Sequence, residues 1–370
     1  MELKKTARID LLKERMLSQP RYVSMEQAMI ITRAYQRHEE EPVILKRAYA
    51  LHDALCELEI GIEPQELIVG NRTKGVRYGV VFPESGISWV DQELETLPTR
   101  PQDKFLVRPE DVQTFREVIK PYWKGKSLED VLKKRYGKEI SALSTVVKIN
   151  QKDHAQGHIC PNVREWLEKG PAGLKEEAQQ HLLDCKEEQR PFYESILLVM
   201  DGVCRFLMRY HDELQKEAKQ HPDWKQDMIE TAEICKALAE RPAETFHEAV
   251  QSMWILFVVL HMESNASSFS PGRLDEILYP YYRKDRELGR LDAQRALDII
   301  ECLWLKFNQI VYLRNKNSAK YFAGFPIGFN IAVGGQDVHG EDVCNELSFL
   351  FLLAQEHIGL PQPNLSVRLH

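Results

Sequence analysis

Hydroxylated and small side chains are concentrated between Ser264 and Ser268, directly after the most apolar segment of the chain. A Pro-Gly break follows this stretch, and the charged residues Arg273 and Asp275 come after the break. A buried helix that opens into a short polar loop is a common way to line a pocket. Serines at an ordinary helix end also satisfy orphan backbone groups, so a purely structural role stays open.

A second polar stretch, Ser144–Pro161, contains Asn150 and His158 with almost no apolar periodicity. A loop this polar inside a helical protein is either surface or the wall of a site, and His158 is equally compatible with a surface or capping role. Hydroxyl, amide and imidazole groups can orient a small polar substrate and move a proton. They do not supply a strong nucleophile or a complete catalytic set.

Other familiar chemical motifs are missing from the sequence. It has no Gly-rich phosphate loop, no HExxH and no nucleophile elbow. The seven cysteines are dispersed, without a CxxC or a Cys/His cluster, so we expect reduced thiols and no metal site.

Composition is typical of a globular protein, with 43% hydrophobic and 28% charged residues. A net charge of -7 without a basic block argues against nucleic-acid binding. The charged amino terminus lacks a signal core, and the longest apolar run, Met253–Leu260, is too short to cross a bilayer. We therefore expect a cytoplasmic protein that does not enter the membrane.

Apolar periodicity predicts a helix-rich chain with a few short strands. The pattern predicts a helix capped by Ser24 with Gln27, long amphipathic helix over Gly170–Glu240, a central helix from Pro242 to about Met262, a helix capped by Asp292, and strands at Phe329–Val333 and Leu365–Leu369. Glu66–Gly70 is predicted to be a short buried strand or extended piece. Because a domain seldom ends on a core-like strand, we expect the chain to be truncated.

Several separate motifs, in order, resemble the glycyl radical enzymes, and in particular the dehydratase and lyase branch that is similar to pyruvate formate-lyase. The motifs are Glu66–Arg72, Pro98–Asp103, Gly157-His158, Glu263-Ser264-Asn265, Pro271–Asp275, Leu278–Tyr282, Ser318–Phe325 and Pro361–Leu365. The resemblance covers residues 1–370 and implies the N-terminal portion of a pyruvate formate-lyase domain.

The resemblance implies an α/β, helix-rich fold that forms part of a ten-stranded α/β barrel. In the family, a partner enzyme that uses S-adenosylmethionine and an iron–sulfur cluster installs a glycyl radical, which generates a thiyl radical that attacks the substrate. The family's Gly-Cys-Val-Glu loop and C-terminal glycine loop are not in this sequence. The resemblance therefore implies no catalytic residue and no bound cofactor in this chain, a homodimer at full length, and an inactive fragment.

Substrate-lining positions of the family correspond to Asn150, His158, Ser267 and Ser268, and Phe325 and Phe329 are candidates for an apolar wall or for core. Diol dehydratases of the family usually have Gly-His-Ser where this chain has Ala266-Ser267-Ser268, which puts glycerol and propanediol in doubt. The acids that hydroxyproline dehydratases and choline lyases place at the Ser267 and His158 positions are absent, which disfavours a cationic substrate. Lys152, Arg164 and Arg273 are candidates to contact an anionic substrate, and Arg273 is also a candidate to pair with Asp275 or a helix end.

The favoured interpretation is a lyase or dehydratase that cleaves a C–O bond of a small polyol, sugar-like or anionic compound. The alternatives are formate C-acetyltransferase, a C–S or C–C lyase of the same superfamily, or a non-catalytic helical scaffold or binding subunit. The motifs beyond residue 370 would separate these alternatives.

Overall fold

The computed structural model describes residues 3–147, 157–322 and 327–369. Its α-helices are α1 (Ala7–Ser18), α2 (Glu26–Arg37), α3 (Val43–Glu57), α4 (Ser88–Glu93), α5 (Pro109–Thr114), α6 (Lys120–Trp123), α7 (Leu128–Leu143), α8 (Val163–Asp184), α9 (Arg190–Glu217), α10 (Lys225–Glu240), α11 (Phe246–Glu263), α12 (Leu274–Glu287), α13 (Ala293–Phe307), α14 (Lys316–Phe322) and α15 (Glu346–Ile358). The strands are β1 (Val23–Ser24), β2 (Gly79–Val80), β3 (Asn330–Gly334) and β4 (Asn364–Arg368). The chain is helix-rich, as the periodicity predicts.

The strands form two short parallel sheets. β1 pairs with β2, and β3 pairs with β4 in the register Asn330 to Asn364 through Gly334 to Arg368. Isolated parallel bridges add neighbouring segments to both sheets. Within the described ranges the strands do not close into a barrel.

Helix α11 lies at the centre of the larger hydrophobic core. Its residues from Met253 to Leu260 are apolar on every side, and most residues of the helix are buried, which is expected of a helix surrounded by protein. The prediction that Pro242 opens this helix was wrong. The helix begins at Phe246 behind a capping box, in which Glu248 N donates to Thr245 Oγ1 at 3.3 Å and Thr245 N donates to the Glu248 carboxylate at 3.2 Å.

The predicted strand or extended piece Glu66–Gly70 is buried but is not a strand, since the chain bends at Leu67 and Ile68 and the segment belongs to no sheet. Side chains of α11 satisfy its backbone in place of a neighbouring strand. Gln251 bonds both the N–H and the carbonyl of Val69, at 2.8 and 2.7 Å, and Trp254 Nε1 donates to the Gly70 carbonyl at 2.9 Å. Buried backbone groups need partners, so these contacts fix the segment against the central helix.

Two further helix predictions differ from the structure. Ser24 lies in β1, and Met25 is the N-cap of α2 without a side-chain cap bond. The amphipathic stretch Gly170–Glu240 is not continuous, because it spans the end of α8, all of α9 and α10 and the turns between them. The predicted cap of α13 is confirmed, since Asp292 Oδ1 accepts from Arg295 N at 2.7 Å.

Among the helices that the structure describes, none combines the length and the apolar character needed to cross a membrane.

Candidate functional site

Four extended segments lie side by side in parallel and form the ladder that carries the candidate site. The bridge between Ile159 and Phe269 joins the first two segments, and the bridge between Gly272 and Ile331 joins the second to β3, which pairs with β4. Ser270 N donates to the Ile159 carbonyl at 2.9 Å. This ladder brings together stretches of sequence that are far apart in the chain.

His158, Ser267 and Ser268 meet at the amino-terminal edge of the ladder. His158 N donates to the Ser267 carbonyl at 3.1 Å, and Ser268 N donates to the Ile327 carbonyl at 2.7 Å. The His158 residue is exposed, and both serines are partly buried. The two polar stretches of the sequence therefore meet at one edge of the ladder.

Two residues of this edge adopt a left-handed backbone conformation. His158 has φ of 59° and Ser268 has φ of 63°. A residue with a Cβ pays roughly 1 kcal/mol or more in this region, and such strain persists where the surrounding structure dictates the geometry. Strained backbone of this kind is concentrated at ligand and active sites, which is consistent with a functional role for this edge.

Glycine permits the close approach of the first two segments. A Cβ built on Gly157 would lie 1.8 Å from the Ser267 carbonyl oxygen, a distance no real side chain tolerates. Gly328, with φ of 89°, would place a Cβ 3.1 Å from Ser268 Oγ. The edge is therefore built around the absence of side chains at these two positions.

Phe329 packs in the core behind the ladder. Its side chain is fully buried, and its ring centroid lies 4.6 Å from that of Phe307 and 5.2 Å from that of His261. These contacts place Phe329 in the hydrophobic core, which is one of the two roles predicted for it, the other being an apolar wall of the site. Asn150, Phe325 and Lys152 lie outside the described residues.

The carboxyl end of α11 is held by side chains from remote parts of the chain. The last carbonyls of a helix have no partner within the helix, so they are available to such donors. The contacts are Arg72 Nη1 to His261 O at 3.2 Å, Gln27 Nε2 to Met262 O at 2.9 Å, Arg47 Nη2 to Glu263 O at 3.3 Å, and Tyr312 Oη to Asn265 O. We call these four donors the α11 clamp, and they fix the chain immediately before Ser267.

His261 lies under the site as a neutral imidazole. Burial, together with the charge of Arg72, lowers the pKa of His261 to about 3. Its Nδ1 bonds the Phe257 carbonyl at 2.6 Å, which leaves Nε2 as an acceptor without a partner in the described part of the chain. Arg72 stays charged at neutral pH although burial lowers its pKa to about 10.

Arg273 and Asp275 have structural contacts. Asp275 is fully buried and accepts from Gly334 N at 2.8 Å and from Ser348 Oγ at 2.5 Å, so it joins α12 to the end of β3 and the start of α15. Arg273 donates to the Gly334 carbonyl at 3.2 Å and pairs with Glu276, not with Asp275. Arg164 also contacts Glu276, at 3.3 Å.

The sequence predictions did not include the α11 clamp or His261. The clamp donors Gln27 and Arg72 lie 235 and 189 residues from their acceptors, so no local pattern identifies them. The one available signal was His261 itself, a titratable residue directly after an apolar run.

The site can hydrogen-bond a small polar molecule through a serine hydroxyl and an exposed imidazole. In the ranges that the structure describes, no group of three or more His, Cys, Asp or Glu side chains is arranged to hold a metal ion. The geometry thus supports binding and proton handling at this edge.

Comparisons with known proteins agree with this architecture. A family model described as pyruvate formate lyase-like matches residues 3–370. The chain is 33% identical over 368 residues to a probable dehydratase of Escherichia coli, covering 94% of this chain and 45% of that protein. It is 32% identical over 371 residues to the isethionate sulfite-lyase of Nitratidesulfovibrio vulgaris, covering 94% and 45%.

A solved structure of a glycyl radical enzyme from Archaeoglobus fulgidus superposes with a TM-score of 0.93 at 30% identity. That match covers 98% of this chain and 48% of the other. The chain spans about half the length of the relatives that it matches. It belongs to the pyruvate formate lyase-like family of glycyl radical enzymes.

Proposed function

We propose that this chain is the N-terminal part of a glycyl radical lyase or dehydratase that cleaves a C–O bond of a small polar substrate. The observation that carries the proposal is the meeting of His158 and Ser267 at one edge of a parallel ladder in a chain of this family. In this proposal the strands described here form part of a larger α/β barrel.

In the proposed reaction, this chain binds and orients the substrate. Ser267 Oγ and the His158 imidazole hold substrate hydroxyl groups, and His158 carries a proton for the departing oxygen. The glycyl radical supplies hydrogen abstraction when the full-length protein is activated by a partner enzyme that uses S-adenosylmethionine and an iron–sulfur cluster. The apolar layer behind the edge, with Phe329 and neutral His261, suits chemistry that must exclude water.

The substrate class is a neutral polyol, a sugar-like compound or a small anion. Ala266-Ser267-Ser268 lacks the imidazole expected for a diol dehydratase, and no carboxylate occupies the Ser267 or His158 position to hold a cation. A C–S lyase is the second candidate, because the isethionate sulfite-lyase of N. vulgaris is 32% identical to this chain.

The first test is to sequence the gene beyond the codon for residue 370. A Gly-Cys-x-Glu loop and a C-terminal glycine motif would support the proposal. A stop codon with no companion gene would support a non-catalytic scaffold instead.

The second test is anaerobic activation of the 370-residue chain and of the same chain joined to its downstream polypeptide. We expect a glycyl radical signal by electron paramagnetic resonance, and turnover on a panel of polyols and isethionate, from the joined protein only. A radical signal or turnover from the 370 residues alone would contradict the proposal that this chain supplies substrate binding but not the radical. Ser267→Ala should lower kcat/KM at least tenfold, whereas Ser270→Ala, three residues along the same segment, is the matched control.

A further inference from the structure

A cavity of about 230 Å³ lies apart from the ladder edge, between the end of α1 and the chain that follows α13. Its wall includes Met16, Leu17, Arg21, Arg77, Val311 and Tyr312. The first two and Val311 supply apolar surface, and the arginines supply positive charge. The proposed function uses none of these groups to contact its substrate.

The positive charge in this wall exceeds the negative charge that accompanies it. Asp103 is the acidic residue of the lining, and both of its carboxylate oxygens are engaged, one by Arg21 at 2.8 Å and the other by Arg100 at 3.4 Å. Arg21 Nε is buried and has no acceptor among the residues described. Asp103 is therefore already paired with two guanidinium groups, and a further guanidinium in the wall has only a longer-range charge interaction with it.

Arg77 is that further guanidinium. Among the described residues, its side chain makes one long hydrogen bond, from Nη1 to the Met16 carbonyl at 3.5 Å, and it forms no ion pair. Burial and the neighbouring charge of Arg21 lower the pKa of Arg77. A partly buried arginine without a carboxylate partner is uncommon, because charges removed from water are normally paired.

The backbone of Arg77 is strained. Its φ is 61°, in the left-handed region that disfavours residues with a Cβ, and its N–H donates to the Gln309 carbonyl at 2.9 Å. Strained positions of this kind are concentrated where a side chain is presented to a ligand. The strain and the missing partner are independent observations at the same residue.

We propose that this cavity binds a small organic anion, a short aliphatic carboxylate. The guanidinium groups of Arg77 and Arg21 hold the carboxylate, since the planar fork of arginine matches a carboxylate with two parallel hydrogen bonds. Met16, Leu17 and Val311 contact a short hydrocarbon body. The volume is just below the usual range for ligand sites, so the ligand is small.

A hydrogen bond links the wall of the cavity to the chain that leads into the candidate site. Tyr312, in its wall, donates to the Asn265 carbonyl in the α11 clamp. The wall of the cavity therefore shares Tyr312 with the α11 clamp. Binding of an anion in this cavity requires the 370-residue chain alone and no step of the proposed reaction.

The test is calorimetric titration of the purified chain with butyrate, with butyramide as its neutral isostere, and with inorganic phosphate. We expect butyrate to bind with Kd on the order of 1 mM and butyramide not to bind. Arg77→Gln should weaken butyrate binding about tenfold or more, because it removes a charge-assisted hydrogen bond. Arg33→Gln, which removes an exposed arginine paired with Glu57 at 2.6 Å, should leave binding unchanged.

A second pair of variants keeps the test informative if Arg77→Gln does not fold. Leu17 is 48% exposed at the rim, so it should accept substitution. Leu17→Glu should abolish butyrate binding by placing a carboxylate near the arginines, and Leu17→Gln should retain it. Equal binding of butyrate and butyramide, or unchanged butyrate binding in folded Arg77→Gln and in Leu17→Glu, would overturn the proposal. Phosphate binding without butyrate binding would overturn the carboxylate assignment.

Discussion

Substituting Gly157 by alanine should separate the two segments that carry His158 and Ser267. The new Cβ would lie 1.8 Å from the Ser267 carbonyl oxygen, and it must reach at least 3.0 Å, so one segment has to move by at least 1.2 Å. A displacement of this size along the hydrogen bond from His158 N to Ser267 O, now 3.1 Å long, would lengthen it to about 4.3 Å and break it. The obstacle is backbone, so no side-chain rotation relieves it.

Loss of two backbone hydrogen bonds should lower the free energy of unfolding by about 1–3 kcal/mol before any offset. Each backbone hydrogen bond lost contributes roughly 0.5–1.5 kcal/mol, and the bond from Ser270 N to Ile159 O is strained by the same displacement. Alanine reduces the entropy of the unfolded chain, which offsets part of this loss by about 0.4–1 kcal/mol. The expected net loss in the free energy of unfolding is therefore up to about 2.6 kcal/mol.

Chemical denaturation measures the loss in the free energy of global unfolding. Hydrogen exchange with mass spectrometry measures the local loss of protection in the ladder. We expect amides of the peptide around Ser268 and Ser270 to exchange about ten- to a hundredfold faster, with helices remote from the ladder unchanged. Gly137→Ala in α7 is the control, because the nearest heavy atom to its Cβ would be 3.8 Å away and alanine favours helix by about 0.5–1 kcal/mol. Equal stability and equal exchange in the two variants would refute the close-approach argument.

Three further perturbations test other parts of the structure. Lys306→Met should cost about 3–5 kcal/mol, because it leaves the buried Glu66, 2.5 Å away, without its ion partner, and adding Glu66→Gln should recover much of that loss in denaturant titrations. Burial raises the pKa of Glu84 to about 7 from 4.5, so this group lowers stability as pH rises from about 4.5 to 7. The free energy of unfolding of Glu84→Gln should therefore exceed that of wild type by up to about 3 kcal/mol at pH 8 but not at pH 4. Equal dependence of the unfolding free energy on pH in the two proteins, measured by urea denaturation, would contradict this. Tyr312→Phe removes the hydrogen bond to the Asn265 carbonyl and should speed hydrogen exchange in the following loop about fivefold at nearly constant Tm; unchanged exchange would exclude its role in the clamp.

Local sequence signals identified several elements correctly. Asp292 caps α13, and an apolar run predicts the buried helix α11, because both effects depend on residues within one or two turns. The signals failed where two local patterns competed. Pro242 and Thr245 are both acceptable helix starts, and the capping box at Thr245 prevails since it satisfies orphan amide groups.

The sequence by itself identified three features of this protein. Its motifs resemble the glycyl radical enzymes, its apolar periodicity predicts the helix-rich character, and its residue types mark the two polar stretches that contain His158 and Ser267. Only the tertiary structure decided that His158 and Ser267 share an edge, that Arg72 and Tyr312 clamp α11, and that Arg77 lacks a carboxylate partner among the described residues. These relations join residues far apart in the chain. Their partners are chosen by packing and by the need to satisfy buried polar groups, and neither leaves a periodic signal in the sequence.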